Sequence, residues 1–311
     1  MSPPLTVIIC THNPRQDYLT RVIAALQQQT LAPAAWNLLL IDNASNQPVE
    51  SWLTLDWHPQ ARMVVETTLG LTAARQRAFR ETQTPTMVFV DDDNVLSPDY
   101  LEQVIALLDR HPQVGAMGGK CLPEFERPPA EWFQEIQIPM GLRDFGDTEQ
   151  LCRWGLSDSK QYPSFAPIGA GLVVRKAAMQ AYCRALETDA RHLALGRTGA
   201  SLTSGEDNDM MLTLLEQGWA VGYFPQLSLL HLIAARRLDA DYLRRMNRAS
   251  CRSWVQVLDL HDLRPWPKIP AWTLPLRQLK SYLALRPWTG TAAAIRWQGA
   301  CGLLEGQARL S

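Results

Sequence analysis

Acidic side chains stand where this chain has the means to do chemistry. Asp91, Asp92 and Asp93 follow directly on the apolar run Met87-Val88-Phe89-Val90. If that run is a buried strand, residues two apart face the same way, so Asp91 and Asp93 converge on one bound object while Asp92 turns elsewhere. Three like charges repel. A hard divalent cation such as Mg2+ or Mn2+ takes oxygen ligands and relieves that repulsion, above all when a substrate diphosphate completes its coordination. A solvated acidic turn is the competing reading, because acidic loop tips are common. Farther on, Ser204-Gly205-Glu206-Asp207-Asn208-Asp209 places three acids at a predicted helix start, where the helix dipole and free N–H groups stabilise a carboxylate and could hold a base. Capping explains one acid there, not three. Asp209 reads more simply as a helix-start charge.

The elements that must hold these groups follow an α/β pattern. Short apolar runs alternate with helical periodicity over the first 120 residues, as expected of a mostly parallel sheet flanked by helices. Strands are expected at residues 5–10, 37–42, 62–66 and 86–91, with a glycine-rich one at 114–119. Asn13-Pro14 and Ser97-Pro98-Asp99 supply a cap and an early proline for two helices, and a third spans 70–80. In such a sheet the carboxyl ends of the strands open on one crevice, so Asp42 joins Asp91 and Asp93 there. Residues 120–165 read as a long irregular connection. Strand 168–174, helix 176–187, helix 205–216 and two strands at 219–224 and 227–232 follow. Gly169, Ala170 and Gly171 leave room beside the crevice for a ligand or permit tight strand packing. The expected division is 1–232 (halves 1–119 and 120–232) and 233–311.

The 311 residues, 46% hydrophobic and 20% charged, are enough for a large core. Net charge is only -1, but residues 1–231 hold 17 Lys/Arg against 26 Asp/Glu, and residues 232–311 hold 13 against 5. Six cysteines without a C-x-x-C pair suggest neither a zinc site nor a disulfide framework. No stretch suggests a signal peptide or a membrane span, so the expected location is the cytoplasm. Within 233–311, helix 239–261 carries a buried stripe opposite Arg244, Arg245, Arg248 and Arg252. Beyond Pro265, tryptophans alternate with basic residues. That basic, Trp-rich helical extension fits an interfacial membrane anchor on the inner face, or equally a cap packed on the sheet.

Taken together, Val7-Ile8-Ile9-Cys10-Thr11-His12-Asn13-Pro14, Leu40-Ile41-Asp42-Asn43-Ala44-Ser45, Gly70-Leu71-Thr72-Ala73-Ala74-Arg75, Val90-Asp91-Asp92-Asp93 and Gly205-Glu206-Asp207 resemble family 2 glycosyltransferases of the GT-A fold, a Rossmann-like arrangement for nucleotide-diphospho-sugars. The resemblance spans residues 5–232 and lies in the order and spacing of five motifs that are each weak alone. It implies that Thr11, His12 and Asn13 lie under the nucleotide, that Asp42 bonds the donor base, and that Arg75 lies near the base or diphosphate. Asp91 would contact ribose, with Asp92 beside it in the donor site, and Asp93 would ligate Mn2+ or Mg2+ with His231 completing the metal site. Asp207 would be the general base. His12 replaces the aromatic often found in this family's Thr/Ser-Tyr-Asn pattern, which bears on donor stacking but not on the fold. His12 and His192 have no comparable claim to the metal.

The function so implied is metal-dependent, inverting transfer of a hexosyl-type sugar from a nucleotide-diphosphate donor, expected to be a UDP-sugar. The acceptor is a hydroxyl of a glycan or lipid-linked molecule, in polysaccharide biosynthesis of the cell envelope. Glu206, Trp132 and Trp154 are acceptor candidates; loop packing accounts for the two tryptophans equally well. No nucleic-acid partner is expected. Two alternatives stand. A non-catalytic nucleotide-sugar-binding subunit predicts a damaged set of acids, whereas Asp42, Asp91, Asp93 and Asp207 are all present. A sugar nucleotidyltransferase predicts a glycine-rich loop with lysine after the first strand, which Cys10-Thr11-His12-Asn13-Pro14 lacks.

Overall fold

The computed structural model describes residues 4–136, 140–155, 160–196, 202 and 204–310. Strands and helices follow as β1 (Leu5–Thr11), α1 (Gln16–Gln27), β2 (Asn37–Asn43), β3 (Ala61–Glu66), α2 (Leu71–Glu81), β4 (Thr86–Phe89), β5 (Asn94–Leu96), α3 (Tyr100–Arg110), β6 (Val114–Phe125), β7 (Gln150–Cys152), β8 (Leu172–Arg175), α4 (Lys176–Thr188), α5 (Ala190–Leu193), α6 (Glu206–Glu216), β9 (Ala220–Ile233), α7 (Ala240–Leu260), α8 (Leu274–Leu285) and α9 (Thr291–Ala308). The described strands form one sheet in the order β3-β2-β1-β4-β8-β6-β9-β5, with β7 pairing β9.

The first four strands in that order are parallel to their neighbours. Parallel strands covered on both faces must be apolar throughout, and β1 meets this demand: Leu5, Val7, Ile8 and Ile9 are each fully buried. Beyond β4 the sheet turns antiparallel at β8. One register matters for the site. β5 pairs with β9 so that Asn94 faces His231, and the Leu232 N–H donates to the Asp93 carbonyl at 2.8 Å.

Several boundaries depart from expectation. Asn13 does not cap a helix, because its φ of 50° is left-handed and α1 starts only at Gln16. Its backbone N–H instead donates to Ser45 Oγ at 2.9 Å, and its Oδ1 accepts from the Asn46 N–H at 2.8 Å. The helix expected from Ser97 begins at Tyr100, after Asp99. The two late strands are one continuous strand, β9, with Pro225 between its pairings to β7 at Val221–Tyr223 and to β5 at Leu229–His231. Gly171 serves packing: its φ is +65°, and a Cβ there would stand 2.6 Å from Leu229 and 2.7 Å from the Tyr100 hydroxyl.

Chain contacts define two compact units. The first comprises Met1–Glu124, Gly141–Asp189 and Met210–Leu232; the second comprises Phe125–Met140, Ala190–Asp209 and Ile233–Ser311. The second unit therefore takes in more than residues 233–311. The Glu126 N–H donates to the Ile233 carbonyl at 3.0 Å, Arg127 pairs with Asp239 at 2.6 Å, and Arg296 donates to the Glu135 carbonyl at 3.0 Å. Its framework is α7 packed on α9. Gly299, Gly302 and Gly306 line the contact, and a Cβ on Gly302 would lie 2.1 Å from the Arg248 carbonyl oxygen. Only glycine permits that approach. The close packing also draws Arg248 out of the solvent-facing arginine row expected for α7, into bonds with Glu305 and with Gln298 Oε1 at 2.9 Å.

Candidate active site

In the first unit the parallel register sets the candidate residues side by side. Thr11, the last residue of β1, is paired with Asp42 of β2. The Val90 N–H donates to the Ile8 carbonyl at 2.9 Å, so Asp91 and Asp92 follow β4 out of the sheet beside the end of β1. Three strands thus bring their carboxyl ends to one edge, where the sheet's buried faces give way to polar loops.

Each polar group there has a defined task. Asp42 is buried, and its two oxygens accept the Ser45 N–H at 3.1 Å and the Val49 N–H at 3.0 Å. This carboxylate shapes the loop after β2. His12 Nδ1 lies 2.7 Å from the Asn43 carbonyl, which can only accept, so that nitrogen carries the proton. His12 Nε2 is then the acceptor for Asn13 Nδ2 at 2.9 Å. Arg75 is buried on α2 with its guanidinium 5.5 Å from the centre of the Phe89 ring. That ring belongs to the last residue of β4, so the guanidinium lies at the carboxyl end of that strand.

The aspartate triplet is arranged differently from simple strand alternation. Asp92 does not turn away to solvent; its carboxylate accepts the hydroxyl of Thr11. The chain has already left β4 at Phe89, so period-two alternation no longer governs residues 91–93. Burial pushes the Asp92 carboxyl up to about 7, the neighbouring Asp93 and Asp91 charges push the same way, and the Thr11 bond opposes them. Asp93 accepts Asn94 Nδ2 at 2.9 Å on one oxygen, and its other oxygen stands 3.2 Å from His231 Nε2. The β5–β9 register creates that meeting across 138 residues of sequence.

The fit of a divalent cation follows from these distances. Neighbouring ligands about 2.1 Å from an octahedral ion and at right angles to each other stand about 3 Å apart, close to the 3.2 Å between Asp93 Oδ2 and His231 Nε2. The side chains of Asp93 and His231 are 21% and 6% exposed, so the carboxylate reaches solvent while the imidazole is buried. An oxygen and an imidazole nitrogen suit Mn2+ better than Mg2+. Burial is the larger cause of the raised Asp92 carboxyl; the Asp93 and Asp91 charges that add to it are what a cation would relieve.

The second unit carries the other acids. Glu206, Asp207 and Asp209 occupy the first turn of α6. Glu206 and Asp209 are buried and Asp207 is half-buried, which leaves Asp207 the most accessible of the three. Asp209 is no surface charge at a helix start: it is fully buried, and its Oδ1 lies 2.8 Å from both His192 Nδ1 and His261 Nε2. These three donors are close enough to hold a metal ion. Both nitrogens approach the same oxygen at ordinary hydrogen-bond length, the geometry of one carboxylate accepting two N–H groups. Sequence reasoning missed this cluster, and no local spacing announces it, since the histidines lie 17 and 52 residues from Asp209.

The tryptophans differ in setting. Trp132, in the second unit, is half-buried in a short turn with its ring 6.5 Å from Phe133. Trp154, in the first, is 7% exposed, donates its indole N–H to the Gln161 carbonyl at 3.2 Å, and has the Lys160 ammonium 5.7 Å from its ring centre. Packing accounts for Trp154 as it stands; stacking on a sugar requires that loop to open.

This arrangement of strand ends and carboxylates is that of a nucleotide-sugar transferase fold. Residues 6–157 match the profile of Glycosyl transferase family 2, and residues 87–297 match Glycosyl transferase family group 2. The chain belongs to the family 2 glycosyltransferases. Its fold is similar to that of S. aureus TarS residues 1–349, solved with UDP-GlcNAc (12% identity, 97% of this chain and 90% of that one, TM-score 0.51). It is also similar to the mannosyltransferase PcManGT from Pyrobaculum calidifontis, solved with GDP-Man and Mn2+ (18% identity, 97% of this chain and 74% of that one, TM-score 0.54). No curated protein matches the chain in sequence. The protein is therefore a glycosyltransferase of GT-A fold. No described helix is long and apolar enough to cross a membrane.

Proposed function

We propose that this enzyme catalyses metal-dependent, inverting transfer of a sugar from a nucleotide-diphosphate donor, a UDP-sugar in the first instance, to a hydroxyl of a glycan or lipid-linked acceptor. The observation that carries the reading is the meeting with His231 of Asp93, two residues on from Asp91, which follows β4 out of the sheet beside Thr11 and Asp42 near the carboxyl ends of β1 and β2. Asp42 has lone pairs beyond those its two backbone donors use, and it accepts an N–H of the base. Asp91 takes the ribose hydroxyls, Thr11, His12 and Asn13 form the floor under the nucleotide, and Arg75 adds positive charge. Asp93 and His231 would hold the divalent cation, which would supply positive charge against the departing diphosphate.

Asp207 is the proposed base. The acceptor hydroxyl must lose a proton as its oxygen attacks the anomeric carbon, and a positioned carboxylate within hydrogen-bond reach takes it. The C–O bond to the diphosphate breaks on the opposite face. One base then suffices, without a covalent sugar-enzyme intermediate. Peripheral attachment through residues 233–311 on the inner membrane face suits a lipid-linked acceptor.

A thermal-shift panel of UDP-, GDP- and dTDP-sugars, each with Mn2+ or with EDTA, tests the donor assignment. A ligand that binds only the folded chain raises the unfolding midpoint. The expected result is a rise with a UDP-sugar that depends on Mn2+. A midpoint indifferent to every nucleotide-sugar in the panel would overturn the reading; a GDP- or dTDP-sugar response would move the nucleotide assignment alone.

A further inference from the structure

Helix α8 turns three of its five leucines outward. Its other face is packed in the second unit: Tyr282 meets Trp297 with ring centres 5.1 Å apart, and the Gln278 carbonyl accepts the Trp297 indole N–H at 3.4 Å. Leu274, Ser281 and Leu285 on that side are half-buried. Leu276, Leu279 and Leu283 face outward at 70%, 54% and 60% exposure, with Trp272 at 83% and Trp288 at 56% in the short turns before and after the helix. At 3.6 residues per turn the three leucines fall within an arc of about 60°. Three leucines on one exposed face, with Trp272 exposed before the helix and Trp288 exposed after it, where its ring lies 5.1 Å from that of Tyr282, are more than scattered surface residues.

Along the chain, the charge flanking the patch has one sign. Residues 263–304 contain six Lys/Arg and not one Asp or Glu. Arg296 is turned to the Glu135 carbonyl, but Arg277, Lys280 and Arg286 are exposed on α8 or at its end. Lys280 stands about 40° around the helix from Leu276, on the margin of the leucine stripe. A stripe of leucine edged with lysine and arginine and bracketed by indoles matches a bilayer interface: indoles prefer headgroup depth, and cations meet lipid phosphate. At about 18 Å for twelve residues, α8 is too short to span the hydrocarbon and long enough to lie flat on it.

We infer that the outward face of α8, from Trp272 to Trp288, docks the enzyme on an anionic lipid bilayer, with Leu276, Leu279 and Leu283 entering the acyl boundary and Arg277, Lys280 and Arg286 meeting headgroup phosphates. This deepens the proposed attachment of residues 233–311 and rests on it, not on the donor site or Asp207. Transfer to a soluble acceptor is therefore expected to survive loss of docking, and the two readings fail separately.

The test is co-sedimentation of the full chain with vesicles of phosphatidylglycerol and phosphatidylcholine, or of phosphatidylcholine alone, at low and high salt. The parent is expected to pellet with the anionic vesicles and to be released by salt, since exposed charge pairs are screened. The triple variant Leu276→Ser, Leu279→Ser, Leu283→Ser should lose at least about tenfold in partitioning with an unchanged unfolding midpoint, because these side chains are exposed. Arg277→Gln with Lys280→Gln should erase the preference for anionic vesicles. A parent that stays in the supernatant with anionic vesicles overturns the inference, as does a triple variant that pellets like the parent. A parent that binds no vesicles but forms a dimer dispersed by the leucine changes assigns the face to self-association and also overturns it.

Discussion

Asp207→Asn is expected to lower sugar transfer by about 100- to 10,000-fold, the range for removal of a positioned general base, while the affinity for donor stays within about twofold of the parent. The separation of the two effects is the point. Asp207 lies in the first turn of α6 and is proposed to touch the acceptor hydroxyl, whereas the donor is assigned to the ends of β1, β2 and β4. Asn preserves size and the helix start but cannot accept a proton at neutral pH. Single-turnover transfer measured alongside equilibrium donor binding tells the outcomes apart. A variant that transfers sugar at the parent's rate removes Asp207 from the mechanism, and one that loses donor affinity in parallel with rate makes it a donor-site residue.

The largest stability effect is expected at Asp209. Its carboxylate is fully buried, with His192 and His261 on the same oxygen. Asp209→Ala leaves two buried imidazole N–H groups without their acceptor and opens a void, and losses of this kind cost about 2–5 kcal/mol. The unfolding midpoint should fall by several degrees, at about 2–4 °C per kcal/mol for a large domain. Asp209→Asn retains one carbonyl oxygen that can accept a hydrogen bond and should lose less. If Asp209→Ala unfolds at the parent's midpoint, the cluster is not a clamp. If EDTA lowers the midpoint of Asp93→Asn as it does that of the parent, the three donors hold a cation instead.

How much of this was legible in the sequence depends on how far apart the interacting residues lie. β1 and β2 were visible because parallel strands buried on both faces read as unbroken apolar runs, and Asp42 lies near the carboxyl end of β2, paired with Thr11 at the end of β1. The order of five short motifs carried the family. Local signals misled where tertiary contacts overrode them. Asn13-Pro14 has the chemistry of a helix start, yet Asn13 is spent on tying the β1 loop to Ser45 and Asn46. Two strands were expected at 219–224 and 227–232, but β9 runs unbroken through Pro225. Asp92 was expected to face away because alternation was carried past the end of β4, whereas it turns back to Thr11. The Asp209 cluster and the glycine contact of α9 on α7 are long-range facts with no periodic signature.

The central claim is that Asp93 and His231 bind a divalent cation on which donor binding depends. Calorimetric titration of a UDP-sugar into the parent and into Asp93→Asn, each with Mn2+ and with EDTA, tests it most directly. The account predicts that the parent binds at least about tenfold more tightly with Mn2+ than with EDTA, corresponding to a difference of about 1.4 kcal/mol or more, and that Asp93→Asn shows no such difference. Equal affinity with Mn2+ and with EDTA in the parent, or a variant that keeps the full metal dependence, would contradict it.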